Sequence, residues 1–230
     1  KTASGSGTTL TVARPDNVAA GDLILLIFTQ QRSSASEVSG FSVPTGFTLI
    51  RNEQSEASTE RPEVVAFYKI AGPAEPTQYT STVTNFGSVP NWKAIAGRVT
   101  GHDPWEPIGR TGGANSVANS VATLTVPQPP GVIYDSLLVA ARTVRRSVSG
   151  ENTPTGMTLE WSENGTGTAD ANTNAPAFRV ATQAIAAPGV AGTRQFTWTG
   201  TARAAGLAFM VNRYRPESYP RINGLYFLSG

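Results

Sequence analysis

The chain has one histidine, His102, and it stands beside Asp103 in the stretch VTGHDPWEP at 99–107. A His–Asp pair suggests nucleophilic catalysis, but a triad needs neighbours in space rather than in sequence, and an activated nucleophile. No G-x-S-x-G elbow occurs to present a serine, and the chain has no cysteine. Pro104 and Pro107 make the stretch read instead as a stiffened turn after a strand. One imidazole and no thiolate leave a zinc-type site without ligands. The segment DANTNA at 170–175 opens like a calcium loop, yet Ala175 stands where glycine is needed and Ala181 where the closing glutamate belongs. Carboxylates recur in pairs, Glu53 with Glu56 and Glu160 with Glu163. A glycosidase holds two carboxyls across a cleft. These sit at strand exits, and Glu53 and Glu163 fall at matching places of an internal repeat, as duplicated surface charges would. There is no GK[ST] phosphate loop. The expectation is a protein that is not an enzyme, with no catalytic residues, metal or cofactor.

Binding chemistry is better represented. Arg142, Arg145 and Arg146 cluster in ARTVRRS at a strand end, without the interleaved aromatics of a nucleic-acid surface. A sheet edge or an acidic neighbouring subunit is the expected target, and nucleic acid is not. Of four tryptophans, Trp161 and Trp198 read as core, whereas Trp92 and Trp105 lie in Pro-bounded segments and could stack on a sugar. The last residues, YRPESYPRINGLYFLSG at 214–230, carry Tyr214, Tyr219, Leu225, Tyr226, Phe227 and Leu228. Left exposed, they would form an apolar patch that soluble proteins avoid. They are the expected assembly contacts, adding to a neighbouring sheet in a homo-oligomer, most simply a closed trimer. The alternative is that this arm folds back on its own sandwich.

What positions these residues is a duplication. PTGFTL at 44–49 returns as PTGMTL at 154–159, and the neighbourhoods return in the same order. TLTVARP at 9–15 matches TLTVPQP at 123–129, and GDLILLIFT at 21–29 matches YDSLLVAART at 134–143, placing Asp22 opposite Asp135. VVAFYKIAGP at 64–73 answers to FRVATQAIAAPG at 178–189, QYTSTVT at 78–84 to QFTWTGT at 195–201, and KAIAGRV at 93–99 to GLAFMV at 206–211. The composition fits many short strands: 23 Gly, 16 Pro and only 15% charged residues. QYTSTVT and QFTWTGT alternate with period two, sending Tyr79, Phe196 and Trp198 inward, while LILLIF and VVAFYKI are apolar on both faces, as central strands are. Each PTG is an entry turn into a strand that points Phe47 and Leu49, or Met157, Leu159 and Trp161, inward.

The expected fold is all-β, a duplicated β-sandwich of jelly-roll type with two pseudo-symmetric halves of about five strands each. The halves span about 8–108 and 122–213 within a single unit at 1–213, facing each other across one core, and the arm follows at 214–230. GRTGGANSVANS reads as the loop between copies, and two tandem sandwiches split there are the alternative. The longest apolar run, at 23–28, is too short to span a bilayer, so no membrane is expected. The opening KTASGSGTT has no apolar core of a signal peptide and no Met, and reads as a trimmed start.

The string of motifs resembles a β-rich domain of tailed-bacteriophage virion proteins. It comprises GDLILL at 21–26, PTGFTL at 44–49, YKIAGPAEPTQYT at 68–80 and AIAGRVTGHDPWEPI at 94–108. The second copy departs from it, with Tyr134 in place of the glycine before Asp135 and no EP before Phe196. The resemblance implies a virion location and a structural role as a minor tail protein, tail appendage or capsid decoration, with capsid or tail proteins as partners. It implies no catalytic residues. A carbohydrate-binding or host-receptor-binding module, using Trp92 or Trp105 against a host glycan, is the alternative.

Overall fold

The computed structural model describes residues 1–31, 40–55, 61–83, 91–116, 121–127, 129, 135–166, 175–185 and 192–215. Strands in the first copy are β1 (Thr2–Ser6), β2 (Thr9–Ala13), β3 (Leu23–Gln31), β4 (Thr48–Gln54), β5 (Pro62–Ile70), β6 (Gln78–Thr82) and β7 (Asn91–Val99). Those in the second are β8 (Ile108–Asn115), β9 (Val121–Val126), β10 (Ser136–Val144), β11 (Thr158–Glu163), β12 (Ala177–Ile185), β13 (Arg194–Ala202) and β14 (Ala204–Asn212). Each copy pairs its strands as a rolled-up hairpin: β1 with β7, β2 with β6 and β3 with β5, then β8 with β14, β9 with β13 and β10 with β12. This nesting gives two five-stranded sheets, ordered β1-β7-β3-β5-β4 and β11-β12-β10-β14-β8, and two small sheets, β2-β6 and β13-β9. The fold is all-β, a duplicated β-sandwich of jelly-roll type.

Each copy contributes seven described strands rather than about five. The difference is chiefly β1 and β8, which are polar, glycine-bearing edge strands (TASGS and IGRTGGAN) without the apolar alternation that marks a strand. The segment expected to be a loop between copies is therefore largely β8, paired along β14.

Apolar residues gather in three clusters where the sequence suggested one. In the first copy β2 and β6 cover one face of the five-stranded sheet, burying Leu10, Val12, Tyr79, Ile24, Leu26, Phe28 and Trp92 together. In the second copy β9 and β13 do the same, burying Leu124, Val126, Phe196 and Trp198 against Leu138 and Ala140. The other faces of the two large sheets meet between the copies, joining Leu23, Leu25, Ile27 and Val64 with Val139, Phe178, Leu207 and Phe209. A jelly-roll half thus has a core of its own and shares a second. This explains why β3 is buried at every position: neighbours cover both its faces.

The repeated PTG phrase forms the same turn twice. Phe47 N–H donates to the Pro44 carbonyl at 2.9 Å and Met157 N–H to that of Pro154 at 3.0 Å. Gly46 and Gly156 take φ of 78° and 79°, which glycine alone adopts cheaply. Phe47 is buried and Met157 packs on the second core, as expected. Leu49 and Leu159, expected inward, are 48% and 42% exposed. β4 and β11 are edge strands, and a register shift after each of these leucines breaks the alternation. Ile50, within the shift of β4, and Trp161, just past that of β11, pack on the shared core instead.

Polar contacts fasten the copies to each other. Thr29 donates to Thr143 across the sheets at 2.6 Å, a buried bond between matching strand ends. Ser55 of the first copy meets Ser116 of the second at 3.2 Å, and Arg51 reaches Thr111 on β8.

Candidate functional site

The end of the sandwich where one copy passes into the next collects the remaining sequence candidates. After β7, residues 100–107 form a turn held against the end of β14. Asp103 N–H donates to the Asn212 carbonyl and Asn212 N–H to that of Pro107, at 2.8 and 3.0 Å. The Asn212 side chain donates to the Glu106 carbonyl at 2.8 Å, and Tyr214 N–H to that of Gly101 at 3.0 Å. Asp103 closes the turn by accepting from the amides of Trp105 and Glu106, at 2.8 and 3.1 Å. The backbone is therefore fixed from three sides, and it holds the Trp105 side chain out into solvent, 77% exposed. Tyr214 stands near the same end, 45% exposed.

His102 is buried in this turn, near the Val99 backbone, and the Asp103 carboxylate accepts from the turn's own amides. Burial pushes the His102 pKa below its ordinary value, against the opposing pull of the Val99 backbone and of Asp22 and Asp103. Asp22 itself is held low, first by the Ala19 amide and then by Arg98 at 2.6 Å. Its counterpart Asp135 pairs with Arg213 at 2.9 Å.

Below this turn the two large sheets part. A cleft of about 430 Å³ opens between them, with Leu25, Ile27, Ile95, Gly97 and Val99 on one wall. Leu137, Val139 and Val180 form the other, and Arg98, Glu160 and Thr182 form polar points on its rim. It runs on past Val99, Thr100 and Leu137 into a second hollow of about 390 Å³ lined by Gly101, His102, Asp135 and Arg213. No sequence signal foretold this cleft, because its walls come from strands that read simply as core.

The other candidates are dispersed. Trp92, expected as an exposed sugar platform, is buried on β7 at 7% exposure. Its indole packs over Gly5 so closely that a Cβ there would come within 2.8 Å of the ring. The expectation failed because β1, which covers Trp92, was not recognised as a strand. Glu53 and Glu163 were expected as surface charges, but each is paired and partly covered, Glu53 with Arg51 and Glu163 with Lys93 at 3.1 Å. They do not face one another over an open cleft; Glu160, which does line one, accepts from Thr182. Arg142 points into the second core instead of toward an edge or a neighbouring subunit. Its guanidinium is fully buried, stacked over Trp198 at 5.3 Å and paired with Glu151, which also binds Arg179 at 2.9 Å. Burial lowers its pKa and Glu151 opposes the shift. Tyr219, Leu225, Tyr226, Phe227 and Leu228, with Glu56 and residues 170–174, lie outside the described residues. Among the described residues no cluster of ligating side chains could hold a metal ion, and no helix is long and apolar enough to cross a membrane.

No family model matches the chain, and neither the curated proteins nor the solved structures yield a significant match.

Proposed function

We propose that the protein is a non-enzymatic structural protein on the surface of a tailed-phage virion, decorating the capsid or forming part of a tail appendage. The observation that carries the reading is the end of the sandwich at Trp105. A turn braced by three bonds to Asn212 at the end of β14 and one from Tyr214 just after it presents a bare indole to solvent, as a docking point on a rigid scaffold requires. The residues that could have done chemistry are engaged elsewhere: Asp103 in the turn, Glu53 and Glu163 in ion pairs, Arg142 and Arg179 on Glu151. The motif string of the first copy supplies the virion setting. Partners in this reading are capsid or tail proteins and further copies of the chain, in the simplest case a ring of three. The reading includes no nucleic acid, and the burial of Arg142, Arg145, Arg179, Arg194 and Arg203 supports it. Quantitative mass spectrometry of purified, salt-washed particles tests the proposal. The chain should be present in a fixed multicopy ratio to the major capsid protein, and its absence from particles would overturn it.

The exposure of Trp105 also favours a second reading, a carbohydrate-binding or host-receptor-binding module, now without Trp92. Specific glycan-array binding that Trp105→Ala abolishes would put this reading first.

A further inference from the structure

The two large sheets meet unevenly, and the duplication shows what one side lacks. β4 and β5 pack closely on β8, β10 and β14, whereas β11 and β12, their counterparts, make little contact with β1, β3 and β7. Val99 lies across from Leu23 and Val211 across from Leu137, so β7 and β14 correspond, with Gly97 in the place of Phe209. Phe209 is fully buried and fills the shared core on the closed side. Gly97 puts no side chain into the cleft on the open side, where Ile95, Val99 and Leu137 stay only half-buried.

A second difference lies at the sheet edge. β8 runs beside β14 as far as Val211, setting Thr111 opposite Phe209 and Ile108 opposite Val211. β1 runs beside β7 only as far as Ile95. The Ala96 N–H then donates to the Lys1 carbonyl and the Ala96 carbonyl accepts from the Lys1 nitrogen, both at 2.8 Å. Two residues on, Arg98 turns its own N–H and C=O to the same side. Among the described residues neither has a partner. Arg98 and Thr100 are exposed, so a segment of another chain can reach this edge without any strand moving. An open edge bonds an extended backbone, and a pocket beside it selects alternate side chains. Edge and pocket adjoin here, since Gly97, Arg98 and Val99 all line the cleft.

We infer that the outer half of β7 is a docking site for an extended segment of a second polypeptide, laid down in the register that Ile108–Thr111 takes on β14. The segment runs antiparallel to β7 and bonds the Arg98 backbone. Its side chain opposite Gly97 is large and apolar, lies across the glycine and fills the cleft, as Phe209 fills the closed side. The inference does not depend on the virion reading and would hold equally for a receptor-binding module.

The probe is a synthetic peptide, blocked at both ends, that repeats residues 107–112 with Thr111→Phe. It is titrated to millimolar concentration into the full, isotope-labelled chain. The amide NMR signals of Gly97, Arg98 and Leu137 should shift saturably, and the Arg98 amide should exchange more slowly with solvent. A peptide of the same composition in scrambled order should leave these signals in place. Gly97→Phe supplies the missing ring from β7 itself, at a position where an added Cβ meets nothing within 4 Å. It should weaken peptide binding by about tenfold or more, and Gly97→Leu replaces it if the larger ring costs the fold. Three results would each overturn the inference: no saturable shift with the probe, equal shifts with the scrambled peptide, or undiminished binding to the filled variants. Saturable shifts centred away from β7 would place the docking site elsewhere and overturn it too.

Discussion

Replacing Trp198 by alanine tests the packing of the second copy at its centre. The indole is 4% exposed on β13, inside the cluster formed with Leu124, Val126, Phe196 and Leu138. A buried tryptophan removes about 150–250 Å² from water, and at about 25 cal/mol per Å² this is worth about 4–6 kcal/mol. The Cβ stays and the site relaxes in part, so the measured range for such truncations, about 3–5 kcal/mol, is the better guide. Two smaller effects act in opposite directions. The face of the ring supports the buried Arg142 guanidinium at 5.3 Å, and losing a desolvated cation–π contact costs about 2 kcal/mol. The indole N–H has no partner, and removing it relieves an unsatisfied donor worth about 1–3 kcal/mol. These roughly cancel, leaving a net loss of about 4 kcal/mol. Urea unfolding followed by circular dichroism reads this directly. With a slope of about 2–3 kcal/mol per M, the midpoint should fall by about 1.3–2 M. A loss under about 1 kcal/mol, the scale of a surface change, would mean that β13 does not send its alternate residues into a core.

Three further outcomes follow from single contacts. Thr29→Val or Thr143→Val alone should cost about 1–3 kcal/mol by stranding the other buried hydroxyl, while the double replacement should be nearly neutral; additive costs in urea unfolding would show that the two do not bond. Burial would raise the Glu75 pKa, but Lys69, the Gly72 amide and the Tyr79 hydroxyl together bring it below 4.5. Its stabilisation is therefore complete above that pH and lost as pH falls through the lowered value, so the stability gap between wild type and Glu75→Gln should close on acidification. A gap independent of pH would contradict the pairing. Gly113→Ala should destabilise by about 1–3 kcal/mol, because the new methyl would lie within 2 Å of the Glu53 carboxylate at the junction of the copies; a neutral variant in thermal unfolding would refute that close approach.

The fold was legible where local chemistry repeats. The twin PTG turns, the alternation of β6 and β13, and the continuous apolar runs of β3 and β5 each declare their geometry, because turn residues and burial act over a few positions. β1 and β8 stayed hidden because an edge strand pairs on one side only and need not be apolar, and Trp92 was misplaced with β1. The inward assignment of Leu49 and Leu159 failed at a bulge that leaves no mark in residue type. At the site, exposure of Trp105 was readable from its Pro-bounded turn. The cleft was not, because a gap between two sheets depends on how far they splay, which no single strand records. Arg142 is a similar case: three arginines near a strand end suggest a surface, yet Arg142 and Arg145 are both buried, and the position of Glu151 shows why Arg142 turns inward.

The most direct test of the structural role is a photo-cross-linking residue placed at 105 in protein incorporated into intact particles, compared with one at Leu49, an exposed position on β4. The reading predicts that irradiation joins position 105 to a capsid or tail protein or to another copy of the chain, in one dominant product, with little from position 49. Particles that carry the protein but give no product from 105, or the same scatter of products from both positions, would contradict a docking role for this end of the molecule.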